Sequence, residues 1–239
     1  TQPCMVAFAA GMTAILNEIG IEADYAAGLS LGEYSALAAA GVFDPQQAIR
    51  LAAFRGRAMA NAAAGRACAM VSILGLPRAA VESAVECAAA AGRGTVEVSN
   101  YNCPGQIVIA GDAPAVEIAA GAARDAGARR CIPLHVSGPF HTSLLHSAGD
   151  ALRERFRDES FGEMRVPVLF NCLGHEMGPD DRIPVLLERQ VQSAVRMEDT
   201  IMRLAELGVD CVIEIGPGRV LSGLVRRCTK DIRCISVET

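Results

Sequence analysis

The run Gly28-Leu29-Ser30-Leu31-Gly32-Glu33 constrains this chain more than any other, because it sets a serine between two glycines where a short apolar stretch meets a helix. In a G-x-S-x-G elbow the glycines remove side chains that would clash in a sharp, strained turn. The serine hydroxyl is then left exposed at the start of the following helix. There the next backbone N–H, that of Leu31, and the positive helix end stabilise an oxyanion as Ser30 attacks a carbonyl. Tyr25-Ala26-Ala27 supplies the strand, 34–40 reads as the helix, and Gly41 is placed to stop it. Glu33 reads as a residue that caps and charges the helix start. A small-residue turn holding an ordinary serine fits the same five positions.

An elbow needs a sheet and a core around it. At 239 residues and 51% hydrophobic, the chain is one large domain or a domain with an inserted lobe, with ample material for a core. Charged residues, glycine or proline interrupt every apolar run before the ~20 residues of a membrane span. The N-terminus shows no signal-peptide pattern. A formal net charge of −5 with no long basic run argues against a nucleic-acid partner. The nine cysteines are odd in number, scattered and without a C-x-x-C pair, unlike a disulfide framework or a zinc knuckle. A reduced, cytoplasmic protein with small core cysteines is expected, with no metal and no cofactor.

Helical and strand-like patterns alternate, as in an α/β protein. Met5, Phe8, Met12, Ile15 and Ile19 fall at steps of three and four, predicting one apolar face of an opening helix. Asp44-Pro45-Gln46-Gln47 predicts a helix start, with Asp as N-cap, Pro at the first position and Gln as capping-box partner. That helix runs to about Ala64 and carries Arg55 and Arg57. In the middle, strand 70–74, helix 77–91, strands 95–101 and 106–110, a helix opened by Asp112-Ala113-Pro114 and strand 130–136 give the order βαββαβ. That is the order of a ferredoxin-like lobe. It is expected as an insertion at 67–135 in a hydrolase-like, parallel-sheet α/β domain made of 1–66 and 136–239. After it come a helix from Ser143 to about Glu159, strand 166–170, two helices, strand 211–215 and a last helix carrying Leu221, Leu224 and Val225.

A serine nucleophile needs a base near neutral pH, and histidine is the usual one. Of His135, His141, His146 and His175, His141 is favoured, because Ser137-Gly138-Pro139-Phe140-His141-Thr142 is a tight loop leading into a helix. His135 and His146 remain alternatives. His175 reads as a solvated loop residue. No metal spacing joins any pair.

Five ordered segments resemble malonyl-CoA:acyl-carrier-protein transacylases and the acyltransferase domains of fatty-acid and polyketide synthases. They are Gly28-Leu29-Ser30-Leu31-Gly32-Glu33-Tyr34-Ser35-Ala36-Leu37, Arg55-Gly56-Arg57-Ala58-Met59, the stretch from Tyr101-Asn102-Cys103-Pro104-Gly105 to Gly111, Val136-Ser137-Gly138-Pro139-Phe140-His141, and Glu214-Ile215-Gly216-Pro217-Gly218. The resemblance implies a ping-pong reaction in which Ser30 takes malonyl from malonyl-CoA and passes it to the phosphopantetheine thiol of acyl carrier protein. It makes His141 the general base, oriented by the main-chain carbonyl of Gln190 rather than by an aspartate. It makes Arg55 a bidentate partner of the malonyl carboxylate. Phe140 matches the bulky residue that accompanies malonyl over methylmalonyl in related domains.

Two departures stand out. Leu29 occupies a place where the family commonly has histidine. The family's opening strand and its glycine/glutamine-rich loop, which supplies a second oxyanion contact, are expected ahead of the first helix, and this sequence starts in that helix. A non-catalytic carrier-protein docking module is the reading that follows if that segment is lacking. A serine hydrolase or thioesterase acting on acyl-CoA shares the elbow but gives Arg55 no role. A patatin-like Ser-Asp dyad finds no late Asp-Gly element. For an acidic carrier protein, Arg226, Arg227 and Lys230, or Arg129 and Arg130, are the candidate docking charges.

Overall fold

The computed structural model describes residues 1–238. The chain opens with α1 (Gln2–Glu18), the short strand β1 (Ala26–Ala27), α2 (Gly32–Ala39) and α3 (Pro45–Ala63). Asp44 caps α3 as its sequence predicts, its carboxylate accepting the Gln47 N–H at 2.8 Å. The reciprocal half of the capping box is absent. The Gln47 side chain instead donates to the Glu159 carboxylate and the Ser160 carbonyl at 2.8 and 2.9 Å, tying α3 to a distant loop. The expected apolar face of α1 also needs correction. Val6 and Ala9 are its buried residues, whereas Ile15 and Ile19 are 50% and 66% exposed. The helix packs against α3.

Next come β2 (Cys68–Leu74), α4 (Arg78–Ala90), β3 (Val96–Cys103), β4 (Gln106–Asp112), α5 (Ala113–Asp125) and β5 (Arg130–Pro133). These strands pair antiparallel in the order β5-β2-β4-β3. One face of that sheet and helices α4 and α5 enclose a core of Ile73, Val81, Ile107, Ile109, Val116 and their neighbours. Asp112 does not cap α5. Its carboxylate accepts the Thr95 N–H and pairs with Arg66. The last strand is also shorter than the expected 130–136, ending at Pro133, with one further bond from the Leu134 N–H to the Met70 carbonyl at 2.9 Å.

A short 3₁₀ turn (Ser143–Leu145) precedes α6 (His146–Phe156), so the expected single helix from Ser143 is split. Then follow β6 (Val168–Phe170), β7 (His175–Glu176), α7 (Ile183–Gln190), β8 (Val195–Arg196), α8 (Met197–Glu206), β9 (Cys211–Ile215), α9 (Val220–Cys228) and β10 (Arg233–Val237). His175 therefore lies in a short edge strand rather than a loop. β8 pairs parallel with β3, adding a fifth strand to the antiparallel sheet.

The parallel pairing expected of the larger body is present in two places. β1 pairs with β6, and β9 pairs with β10 over their full lengths. Among the described residues these pairs form two separate sheets rather than one. α2, α3, α6 and α7 pack around β6 with Tyr34, Leu37, Leu51, Leu152 and Phe170 enclosed. Full burial of such a side chain is worth about 1.5–3 kcal/mol. On the other side, Leu169 packs with α8 and α9. The result is a mixed α/β fold in which β1 ends, at Ala27, between these two cores.

Candidate active site

The elbow forms because β1 stops at Ala27 and the chain reverses into α2 within four residues. A Cβ on Gly28 would lie 2.1 Å from the Gly32 carbonyl carbon, so only glycine permits the turn. The second glycine has a different role from the one expected. A Cβ on Gly32 meets nothing, and it is the Gly32 backbone that fills the space above Gly28. Ser30 sits at φ 54°, in the left-handed region. A non-glycine residue there costs about 1–3 kcal/mol and persists only where its surroundings hold it.

The second strained residue is His141, at φ 61°. Its Nε2 lies 2.7 Å from the Ser30 Oγ, and its Nδ1 lies 2.9 Å from the Gln190 carbonyl. A carbonyl only accepts, so Nδ1 carries the proton and Nε2 presents its lone pair to the serine hydroxyl. Burial, with the Arg55 charge adding to it, pushes the His141 pKa down to about 4. The imidazole is therefore neutral at pH 7, as a base must be before it takes a proton. His135, His146 and His175 all lie exposed on the surface, away from this constellation.

Arg55 is 1% exposed, on the inner face of α3. Its donors meet neutral acceptors. Nη2 donates to the Ser30 Oγ and the Gln190 Oε1, both at 2.9 Å, and Nη1 donates to the Gln2 Oε1 at 3.1 Å. Nε has no partner. A buried guanidinium held by amides and a hydroxyl, with a donor to spare, can take up an anion. Arg57, two residues on, faces solvent.

Gln190 joins all three groups. Its carbonyl accepts from His141, its Oε1 accepts from Arg55, and its Nε2 donates to the Ser30 carbonyl at 2.7 Å. It is fully buried at the end of α7. The Leu31 N–H, next to the nucleophile, makes no backbone hydrogen bond, whereas those of Gly32, Glu33 and Tyr34 close the first turn of α2. Leu31 thus offers a free donor beside the Ser30 Oγ. Phe140 packs both on the larger body's core and on Met70, Val108 and Ala110 of the antiparallel sheet, placing its ring between the two.

Three participants were not foreseen. Gln2 touches Arg55 from α1. Asn171, just past β6, accepts the Ser30 N–H at 2.6 Å. Glu33 is not a solvent-facing helix-start charge. It is fully buried, accepts the Asn171 N–H at 2.6 Å, and burial pushes its pKa up to about 8. The available signals were a charged residue inside the apolar run 31–40 and a polar residue closing the run 166–170. Among the described residues no group of three or more His, Cys, Asp and Glu could hold a metal ion, and no helix is long and apolar enough to cross a membrane.

Comparison with known proteins places the chain in a family. The acyl transferase domain family model matches residues 1–239. The chain is 39% identical over 237 residues to malonyl CoA-acyl carrier protein transacylase of Bacillus subtilis (strain 168), covering 99% of this chain and 74% of that protein. It superposes on the crystal structure of MCAT from Streptococcus pneumoniae with a TM-score of 0.94 at 43% identity, covering 100% of this chain and 77% of that one. It matches equally a malonyl-transacylase solved in complex with its type II PKS acyl-carrier protein, with a TM-score of 0.93 at 39% identity, covering 100% and 77%.

Proposed function

This chain belongs to the acyl transferase domain family, and from that premise we propose that Ser30, His141, Arg55 and Gln190 carry its chemistry. The enzyme is an [acyl-carrier-protein] S-malonyltransferase. It moves malonyl from malonyl-CoA to acyl carrier protein, in fatty-acid or polyketide synthesis. The observation that carries the assignment of roles is the unbroken chain Ser30 Oγ, His141 Nε2, His141 Nδ1, Gln190 O, at 2.7 and 2.9 Å.

In this reading His141 takes the Ser30 proton as Oγ attacks the thioester carbonyl. The Leu31 N–H, at the positive start of α2, receives the developing oxyanion. Collapse expels the coenzyme A thiolate, which recovers the proton from His141, and leaves malonyl esterified to Ser30. The carrier protein's phosphopantetheine thiol then gives its proton to His141, attacks the ester and regenerates the Ser30 hydroxyl. A carbonyl orients the imidazole here, so the imidazolium formed in each half is stabilised by a dipole rather than by a carboxylate. Arg55 holds the free malonyl carboxylate through paired N–H bonds. Phe140 narrows the acyl site against a branched malonyl. No cofactor has a role in these steps.

The same reading takes the chain as a hydrolase-like body, 1–66 with 136–239, bearing a ferredoxin-like lobe at 67–135, acting in the cytoplasm. The antiparallel order β5-β2-β4-β3 supports the lobe. The discriminating experiment follows the acyl group after incubation with malonyl-CoA and holo-acyl carrier protein. Malonyl on the carrier protein is expected. Release of free malonate at the same rate with or without carrier protein would instead mark a thioesterase.

A further inference from the structure

Asn171 makes four hydrogen bonds, two of them to the turn that carries Ser30. Its Oδ1 accepts the Ser30 N–H at 2.6 Å and its Nδ2 donates to the Gly28 carbonyl at 2.6 Å, so one amide spans the elbow from both sides of Leu29. Only this orientation of the amide satisfies both partners. Its own backbone is fixed as well, the N–H donating to Glu33 Oε2 at 2.6 Å and the carbonyl accepting the Arg196 N–H at 2.8 Å.

The placement follows from strand register. β1 and β6 pair with Ala26 beside Val168 and Ala27 beside Leu169. Carried one step on, that register puts Phe170 beside Gly28 and leaves Asn171 level with the turn. β1 ends there, so the last backbone groups of the elbow have no strand neighbour, and the Asn171 side chain replaces the missing ladder. Because the Ser30 N–H is taken by Asn171, it is unavailable to an oxyanion, and that donor role passes to the Leu31 N–H alone on this turn.

We infer that Asn171 is the positioning residue that keeps Ser30 in its left-handed conformation, aimed at His141, with Glu33 in turn fixing Asn171. This rests on Ser30 being the nucleophile. It assigns Asn171 no contact with substrate.

The test is the single-turnover rate of malonylation by malonyl-CoA, with malonyl-CoA affinity measured separately in a Ser30→Ala background. Asn171→Ala should slow malonylation by about 10²-fold, the scale for a reacting atom displaced by an ångström. Affinity in Ser30→Ala/Asn171→Ala should stay within a few-fold of Ser30→Ala. Asn171→Asp supplies a readout that lost folding cannot imitate. The ionised carboxylate of that variant sets oxygen against the Gly28 carbonyl, whereas the protonated acid restores one donor and one acceptor. Its rate should therefore climb relative to wild type as pH is lowered from about 8 to about 6, since burial raises a carboxyl pKa. Arg55 and His141 surround the elbow in both proteins and keep one charge state across this window, whereas Glu33, with its pKa pushed up to about 8, titrates inside it and is replaced by Gln in both backgrounds for this comparison. An Asn171→Ala rate near wild type, a rate loss matched by lost affinity, or an Asn171→Asp profile that parallels wild type would each overturn the inference. Peptide mapping of the wild-type label separates this from failure of the Ser30 assignment itself, which would show as label on another residue.

Discussion

The Arg55 Nη2 donates to the Ser30 Oγ across 2.9 Å, joining the proposed carboxylate clamp to the proposed nucleophile directly. The guanidinium is buried without a carboxylate partner on it, and burial lowers its pKa as the cost of holding that charge. A malonyl group esterified to Ser30 would bring its own carboxylate to within reach of the same fork.

Arg55→Ala should therefore lose malonyl transfer by roughly 10²–10³-fold in kcat/KM, the scale for leaving a buried charge unpaired. Activity toward acetyl-CoA should be retained or raised. Arg55→Lys should also be poor, since one ammonium cannot reproduce two parallel N–H bonds. Steady-state kinetics with the two acyl-CoAs decide it. Unchanged preference for malonyl in both variants would move the clamp elsewhere.

His141→Ala should slow malonylation by about 10²–10⁴, the usual worth of a general base. With its pKa pushed down to about 4, the imidazole is neutral throughout the physiological range. The wild-type rate should then be flat near neutrality and fall only as pH drops toward about 4. A rate that halves near pH 6.5, the ordinary histidine value, would show that the ring is not buried as described.

Glu33 offers a stability test. Its pKa is 4.5 when unperturbed and about 8 in the folded chain, so it stays protonated in the folded state while the unfolded chain ionises. Stability from this group is present below 4.5 and lost as pH rises from there to about 8. Glu33→Gln removes the ionisation. The variant should gain on wild type across that window by up to about 1.4 kcal/mol per pH unit in denaturant unfolding. A constant difference at all pH values would mean that Glu33 is ionised in the fold.

Several of these features were legible in the sequence and several were not. The elbow, the Asp44 cap and the order of elements 68–133 each depend on neighbours in sequence, and local patterns report such things. The loop at 137–142 pointed to His141, but the Gln190 carbonyl and the proposed clamp role of Arg55 came from family resemblance, because a main-chain acceptor leaves no mark on residue type. Asn171 and Glu33 were missed for a related reason. Their roles depend on the register of β6 against β1, and two strands of two and three residues carry almost no pattern. The outward Ile15 and Ile19 show the converse, a regular apolar spacing whose packing the spacing itself did not determine.

Carrier-protein docking should involve the exposed end of α9. Arg226 and Lys230 face solvent there, whereas Arg227 is engaged by the Gln106 side chain at 2.7 Å and is the weaker candidate. Charge reversal at Arg226 and Lys230 should lower the association rate with acidic carrier protein at low salt, with little effect on malonylation by malonyl-CoA. Stopped-flow transfer kinetics at two ionic strengths would show it. An unchanged rate at low salt, with Arg129 and Arg130 reversed in a second variant as comparison, would remove this helix from the docking surface.

The most direct test of the whole account is intact-mass spectrometry of the protein mixed with malonyl-CoA in the absence of carrier protein, followed by peptide mapping. One malonyl group should appear, on the peptide containing Ser30. It should be absent in Ser30→Ala and discharged on adding holo-acyl carrier protein. A label on any other residue, or a Ser30→Ala protein that still acquires malonyl, would contradict the assignment.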